Sequence, residues 1–133
     1  MIETHKGVVH PWLCDVMGHL TTRHYTAMFD DASYHLTHAC GILPSQKMGF
    51  VDVEITMKFI TELKAGSLVY IRSALLNIGN KSFLARHQMF NCDDDVLVAE
   101  QQATSVYFDL KARKAVPLSD EIRAKAALYF IEK

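Results

Sequence analysis

The hydrophobic period changes once along this chain, and that change decides what it can fold into. From Tyr25 to Cys40 the apolar residues fall at steps of three and four: Tyr25, Met28, Phe29, Ala32, Leu36, Ala39 and Cys40. Such spacing makes one stripe of an α-helix, and Gly41 stops it. From Val51 to Phe59 the step becomes two, with Val51, Val53, Ile55, Met57 and Phe59 alternating with Asp52, Glu54, Thr56 and Lys58. That is a strand with one apolar face. An amphipathic helix joined to strands of this kind predicts an α+β domain in which the helix covers one face of a sheet.

The rest of the chain fills in the sheet. Residues 5 to 10 read as a brief first strand that Pro11 closes, and residues 11 to 21 as a loop. Thr21 or Thr22 is the natural N-cap, its hydroxyl taking a free backbone N–H. Turns at Lys64–Ser67, Gly79–Asn80 and Asp93–Asp95 separate further strands at about 68–78, 82–91 and 96–110. Ser119 then introduces a short terminal helix with Asp120 and Glu121 in its first turn, where the dipole favours acids. Strands that follow one another through tight turns are antiparallel. The expectation is one long helix over a four- or five-stranded antiparallel sheet, with a short C-terminal helix.

Length and charge narrow the function. At 133 residues the chain is expected to form a single domain, residues 1–133. Fourteen Lys+Arg against fifteen Asp+Glu leaves a net charge of −1, without the basic surplus of a nucleic-acid binder. Half of the residues are apolar, a surplus for a small domain that points to area buried between subunits. No apolar run approaches the ~20 residues of a membrane span. The N-terminus lacks the basic-then-apolar layout of a signal peptide, so a cytoplasmic protein is expected. Cys14, Cys40 and Cys92 form no CxxC pair and read as reduced, packing thiols. Asp31, His35 and His38 share one helical face but suggest no fourth partner, so no metal site is expected.

Chemistry concentrates on the loop that enters the long helix. Asp15, Gly18, His19, Thr21 and Thr22 precede a helix whose first N–H groups have no intrahelical partner and whose dipole is positive there. Such an end suits a developing oxyanion, and a nearby ionised Asp15 suits a base or nucleophile. Equally, Asp15 suits a turn, its side chain bonding backbone N–H groups. His19 suits a solvated loop histidine, and Gly18 supplies backbone freedom.

The segment Asp15-Val16-Met17-Gly18-His19-Leu20-Thr21-Thr22-Arg23-His24-Tyr25, followed by Met28-Phe29-Asp30-Asp31-Ala32, resembles the signature of hotdog-fold acyl-CoA thioesterases of the 4-hydroxybenzoyl-CoA thioesterase-like family. Weaker similarities run through Glu62–Ser67, His87–Asn91 with Ala99-Glu100, and Ala115–Leu118. The resemblance implies a helix wrapped by a curved antiparallel sheet, protomers joined edge to edge as a dimer or a dimer of dimers, and active sites at the dimer interface. It implies hydrolysis of an acyl-CoA, with coenzyme A as part of the substrate and no separate cofactor. By position, Asp15 is the catalytic carboxylate and the Thr22 backbone N–H polarises the thioester carbonyl. Gly18 and His19 shape the pocket, and Tyr25 packs beneath it. The family's use of the hairpin region implies Arg72, Lys81, Ser82 and Arg86 as partners of the CoA phosphates. Thr21 and Thr22 stand where the family commonly has Asn-Asn, which removes any amide contact to the acyl group. Met17, Met28, Met48 and Phe50 are candidates for an acyl tunnel or for plain core. A hotdog enoyl-acyl hydratase or dehydratase, with His19 as its histidine, and a non-catalytic acyl-CoA-binding module are the alternatives.

Overall fold

The computed structural model describes residues 1–43 and 45–132. Five long strands and one short one form a single antiparallel sheet: β1 (Ile2–Val8), β2 (Met48–Phe59), β3 (Leu68–Ile78), β4 (Ser82–Asn91), β5 (Leu97–Asp109) and β6 (Lys114–Ala115). The long helix α1 (Thr22–Ala39) lies against one face, and α2 (Asp120–Ala127) covers the far end of β3. This is the hotdog arrangement that the resemblance implies. The first strand starts earlier than expected and ends at Val8, with two residues between it and the proline turn Pro11–Leu13.

The sequence period explains α1 directly. Tyr25, Met28, Phe29, Ala32 and Leu36 are its buried residues, the stripe read from spacing alone. Phe29 and Leu36 are almost completely enclosed, each contributing roughly 2 kcal/mol of transfer free energy. Helix α1 ends at Ala39, and Gly41 takes φ of +86°, the left-handed conformation of a C-terminal glycine. Its N-terminus differs from expectation. Thr21 is the N-cap, yet neither it nor Thr22 caps through its hydroxyl. The Thr21 carbonyl instead accepts from His24 and Tyr25 N–H, while the Thr21 N–H is held by Leu13. The Thr22 and Arg23 N–H groups have no acceptor among the described residues. In α2, by contrast, Ser119 Oγ does accept from Ile122 N–H.

The sheet order is β1-β3-β4-β5-β2, so β2 does not pair with the strand that follows it. Residues 60–67 are a crossover rather than a hairpin turn. Leu63 anchors it in the core, its carbonyl accepting from Leu20 N–H, and so ties it under the loop that precedes α1. Strand β2 is left as an edge.

The alternation in β2 is broken as well. Its register on β5 shifts between Asp52 and Glu54, leaving Val53 as the extra residue of a bulge. Phe50 and Asp52 pair with Tyr107 and Ser105, while Ile55, Met57 and Phe59 pair with Ala103, Gln101 and Ala99. All five partners are odd-numbered β5 residues and share its helix-facing side. The apolar set expected on one face is therefore wrong at its start: Val51 faces away from α1, Val53 is bulged, and Asp52 faces α1.

Candidate active site

The loop before α1 is a small hairpin built around Asp15. Asp15 N–H donates to the His19 carbonyl, Gly18 N–H donates to the Asp15 carbonyl, and Cys14 pairs with Leu20. Gly18 has φ of +78°, a conformation that costs a side chain about 1 kcal/mol or more. One carboxylate oxygen of Asp15, Oδ1, accepts from Met17 N–H at 2.9 Å and His19 N–H at 3.3 Å. The other has no hydrogen-bond partner among the described residues. Asp15 thus acts as a turn residue through one oxygen and keeps the second for solvent or ligand. The Leu13–Thr21 backbone bond closes the hairpin base at 3.0 Å and ties the loop that carries Asp15 to the start of α1.

Thr22 is exposed at that start, with its N–H unused. His19 reaches the crossover, its Nε2 lying 3.0 Å from Glu62 Oε2. Tyr25 is buried below the loop and meets Phe59 edge-on at 5.1 Å. Burial foremost raises the Tyr25 phenol above its ordinary pKa, opposed by a hydrogen bond with the Leu63 backbone. The structure therefore groups Asp15, Gly18, His19, Thr22 and Tyr25 at one end of the sheet.

The residues assigned to the CoA phosphates are elsewhere in the protomer. Lys81 and Ser82 stand at the β3–β4 turn, at the opposite end of β3 from the hairpin, roughly 35 Å along an eleven-residue strand. That turn is tied to α2, with Arg123 donating to the Gly79 and Asn80 carbonyls. Arg72 donates to the Met1 carbonyl, and Arg86 pairs with Glu100 at 3.3 Å.

Two features went unread in the sequence. A groove of about 560 Å³ runs between the C-terminal half of α1 and β2, in the size range of small-molecule sites. Asp30, Tyr34, His35, Met48, Phe50 and Asp52 are among its lining residues. Of the residues considered for an acyl tunnel, Met48 and Phe50 line it, Met28 is in the core, and Met17 is exposed on the hairpin. Asp30, Ser33 and Asp52 also line a smaller adjoining recess of about 160 Å³, which adds Thr26, Ile55 and Gln101. Asp30 lay inside the quoted motif, but the Val53 bulge hid the inward turn of Asp52.

The second feature is a buried polar chain beneath α1. Thr4 Oγ1 donates to the Ile71 carbonyl, Ser73 Oγ lies 2.7 Å from Thr4 Oγ1, and His87 Nδ1 lies 2.6 Å from Ser73 Oγ. With the Thr4 proton on Ile71, Ser73 donates to Thr4 and His87 Nδ1–H donates to Ser73, leaving Nε2 a bare lone pair. Burial pushes the His87 pKa down to about 4, so the ring is neutral, as this chain of donors requires. Its Nε2 and Gln101 Oε1, on directly opposite residues of β4 and β5, have no hydrogen-bond partner among the described residues.

Comparison with known proteins agrees with the fold. Residues 9–126 match the model of the thioesterase-like superfamily, and the chain belongs to that family. It is 30% identical over 116 residues to the L-carnitine dehydrogenase/betainyl-CoA thioesterase of Rhizobium meliloti; the match takes in 84% of this chain. The chain spans only 23% of the length of that relative. Among solved structures it superposes on a hypothetical protein of Staphylococcus aureus in complex with CoA, with TM-score 0.88 and 14% identity over 96% of this chain and 84% of that one. A 1,4-dihydroxy-2-naphthoyl-CoA thioesterase from Synechocystis gives TM-score 0.80 and 14% identity, covering 92% of this chain and 93% of that chain.

Proposed function

We propose that this protein is an acyl-CoA thioesterase, with Asp15 as its catalytic carboxylate. The observation that carries the reading is the hairpin: one oxygen of Asp15 is fixed by two backbone N–H groups, and the other has no partner among the described residues, on the loop that leads into the open N-terminus of α1. A thioester carbonyl docked there meets the Thr22 N–H and the positive helix end, which stabilise the oxyanion as it forms. Asp15 either adds to that carbonyl, giving a mixed anhydride that water opens, or takes a proton from the water that adds. In both courses the C–S bond breaks, CoA leaves as thiolate, and the acyl group ends as a carboxylate. A thiolate is a good leaving group, so the site needs no strong general acid. Gly18 and His19 hold the hairpin in shape, and Tyr25 supports it from below. The betainyl-CoA named for the Rhizobium relative supports an acyl group bearing a quaternary ammonium.

The open edge of β2 supports a dimer that joins two sheets through that strand. A two-fold pairing would set the hairpin of one protomer beside the α1 C-terminal end of its partner. Arg72, Lys81, Ser82 and Arg86 remain candidates for the CoA phosphates in such an assembly, with Arg86 requiring release from Glu100. The His19–Glu62 contact supports a second reading, an enoyl-CoA hydratase using that pair as its acid and base.

One assay decides between them. Purified protein is incubated with a panel of acyl-CoAs, and free thiol is followed with a chromogenic reagent. Wild type should release thiol, and Asp15→Asn should lower kcat by about 10²-fold or more with KM little changed. Hydration of an enoyl-CoA, lost in His19→Ala, with no thiol released from any acyl-CoA, would replace the thioesterase by the hydratase.

A further inference from the structure

We propose that the recess between α1 and β2 seats a positively charged group at the far end of the acyl chain, an inference that rests on the acyl-CoA reading above. Asp30 from α1 and Asp52 from β2, both exposed in the protomer, line this recess. No lysine or arginine lines it or the adjoining groove among the described residues. Among the described residues Asp52 has a single side-chain partner, the Ser105 hydroxyl, which supplies a dipole but no balancing charge. Desolvation first, and then the nearby Asp52 and Asp31, raise the Asp30 pKa above its ordinary value.

An independent observation comes from β5. Gln101 is only 3% exposed, lines the same recess, and carries an amide oxygen without a hydrogen-bond partner. A buried acceptor left bare costs about 1–3 kcal/mol in a folded protein unless a ligand or water completes it. Two carboxylates and this unpartnered amide line the recess, which so carries negative charge with no balancing cation among the described residues. The described residues hold no group of three metal-type ligands here or elsewhere, which favours an organic cation over a metal ion. The wider groove adds the rings of Phe50 and Tyr34, whose faces attract a desolvated cation.

The position fits the reaction. Thr26, one turn beyond Thr22, lines the recess, and Asp30 lies one further turn along, about 12 Å from Thr22. Helical side chains lean toward the N-terminus, which brings the Asp30 carboxylate nearer the docked carbonyl. An acyl chain with its thioester at the helix start and its charge at the distal end therefore runs along α1 toward the two carboxylates.

Charged and uncharged substrates of equal shape test this. The first pair is 4-(trimethylammonio)butyryl-CoA and its carbon isostere 5,5-dimethylhexanoyl-CoA. The second is trimethylammonioacetyl-CoA and 3,3-dimethylbutyryl-CoA. Wild type should favour the cation in at least one pair by about tenfold or more in kcat/KM, and the ratio should fall toward one in Asp52→Asn and in Asp30→Asn. The wild-type ratio requires no variant, so a misfolded mutant leaves the test intact. Affinities of the same compounds for wild type and Asp15→Asn, measured by calorimetry, separate the two claims. Preferential binding of the cation without thiol release supports the recess and overturns the hydrolase. Thiol release with equal ratios in both pairs, or a ratio unchanged in both variants, overturns the recess alone. Neither release nor preferential binding overturns both.

Discussion

His87 sits at the centre of the sheet, fully enclosed, and its state is coupled to folding. Its pKa falls from 6.5 to about 4 in the folded protein because burial opposes the charged ring. Between those values the unfolded chain binds a proton that the native chain does not, so stability rises with pH across that window. Below it the penalty is complete, on the order of 3 kcal/mol for a shift of this size. His5 is also lowered, by desolvation first and by His35, against the opposing pull of Asp31, and adds in the same direction. Urea unfolding at pH 7 and pH 4.5 should show a clear loss of stability at the lower pH. His87→Gln should be less stable at pH 7 yet show a smaller loss between the two pH values. An unchanged pH dependence in that variant would remove His87 as its source. Asp15 belongs at this scale too: its part in the turn and its proposed part in chemistry use different oxygens of one carboxylate.

At the scale of elements, β2 departs most from its sequence. The bulge at Val53 allows Phe50 to stack against Phe83 at 4.9 Å while Ile55, Met57 and Phe59 still face α1. A regular strand would turn one of those two groups outward. Deleting Val53 leaves the Asp52–Ser105 and Glu54–Thr104 pairings in place, so that variant should fold, with its unfolding free energy changed by about 1 kcal/mol or less. A loss of several kcal/mol would mean that Val53 itself holds the strand. Strands β3, β4 and β5, α1 and the Ser119 cap were legible because each follows from local periodicity or turn chemistry. The bulge, the 60–67 crossover and the missing threonine cap were not, because each is decided by a distant partner: Ser105 for Asp52, Leu20 for Leu63, and Leu13 for Thr21. The hairpin residues could be read for the same local reason as the cap. The Asp30–Asp52–Gln101 recess needed three elements to be brought together first.

For the whole molecule, the edge of β2 carries the strongest expectation. Val51 and Val53 are 41% and 61% exposed on a twelve-residue strand that nothing pairs on its outer side in the protomer. Replacing both with lysine places like charges across a two-fold β2–β2 contact, a standard way of blocking an edge. Wild type should sediment as a dimer or larger, and Val51→Lys/Val53→Lys should shift toward monomer with its circular dichroism retained. A wild-type monomer, or an assembly indifferent to the lysines, would locate any contact elsewhere. The sheet order also bears on how the chain is made. β1 pairs with β3, and β2 pairs only with β5, whose last residue is Asp109. During synthesis the amphipathic helix and the apolar strand after it emerge long before the strands that cover them. Sheet closure waits until most of the chain has left the ribosome. Contacts of such sequence separation slow folding, so the newly made chain passes through a period with its future core uncovered, the stage at which chaperone binding or misassociation competes with completion.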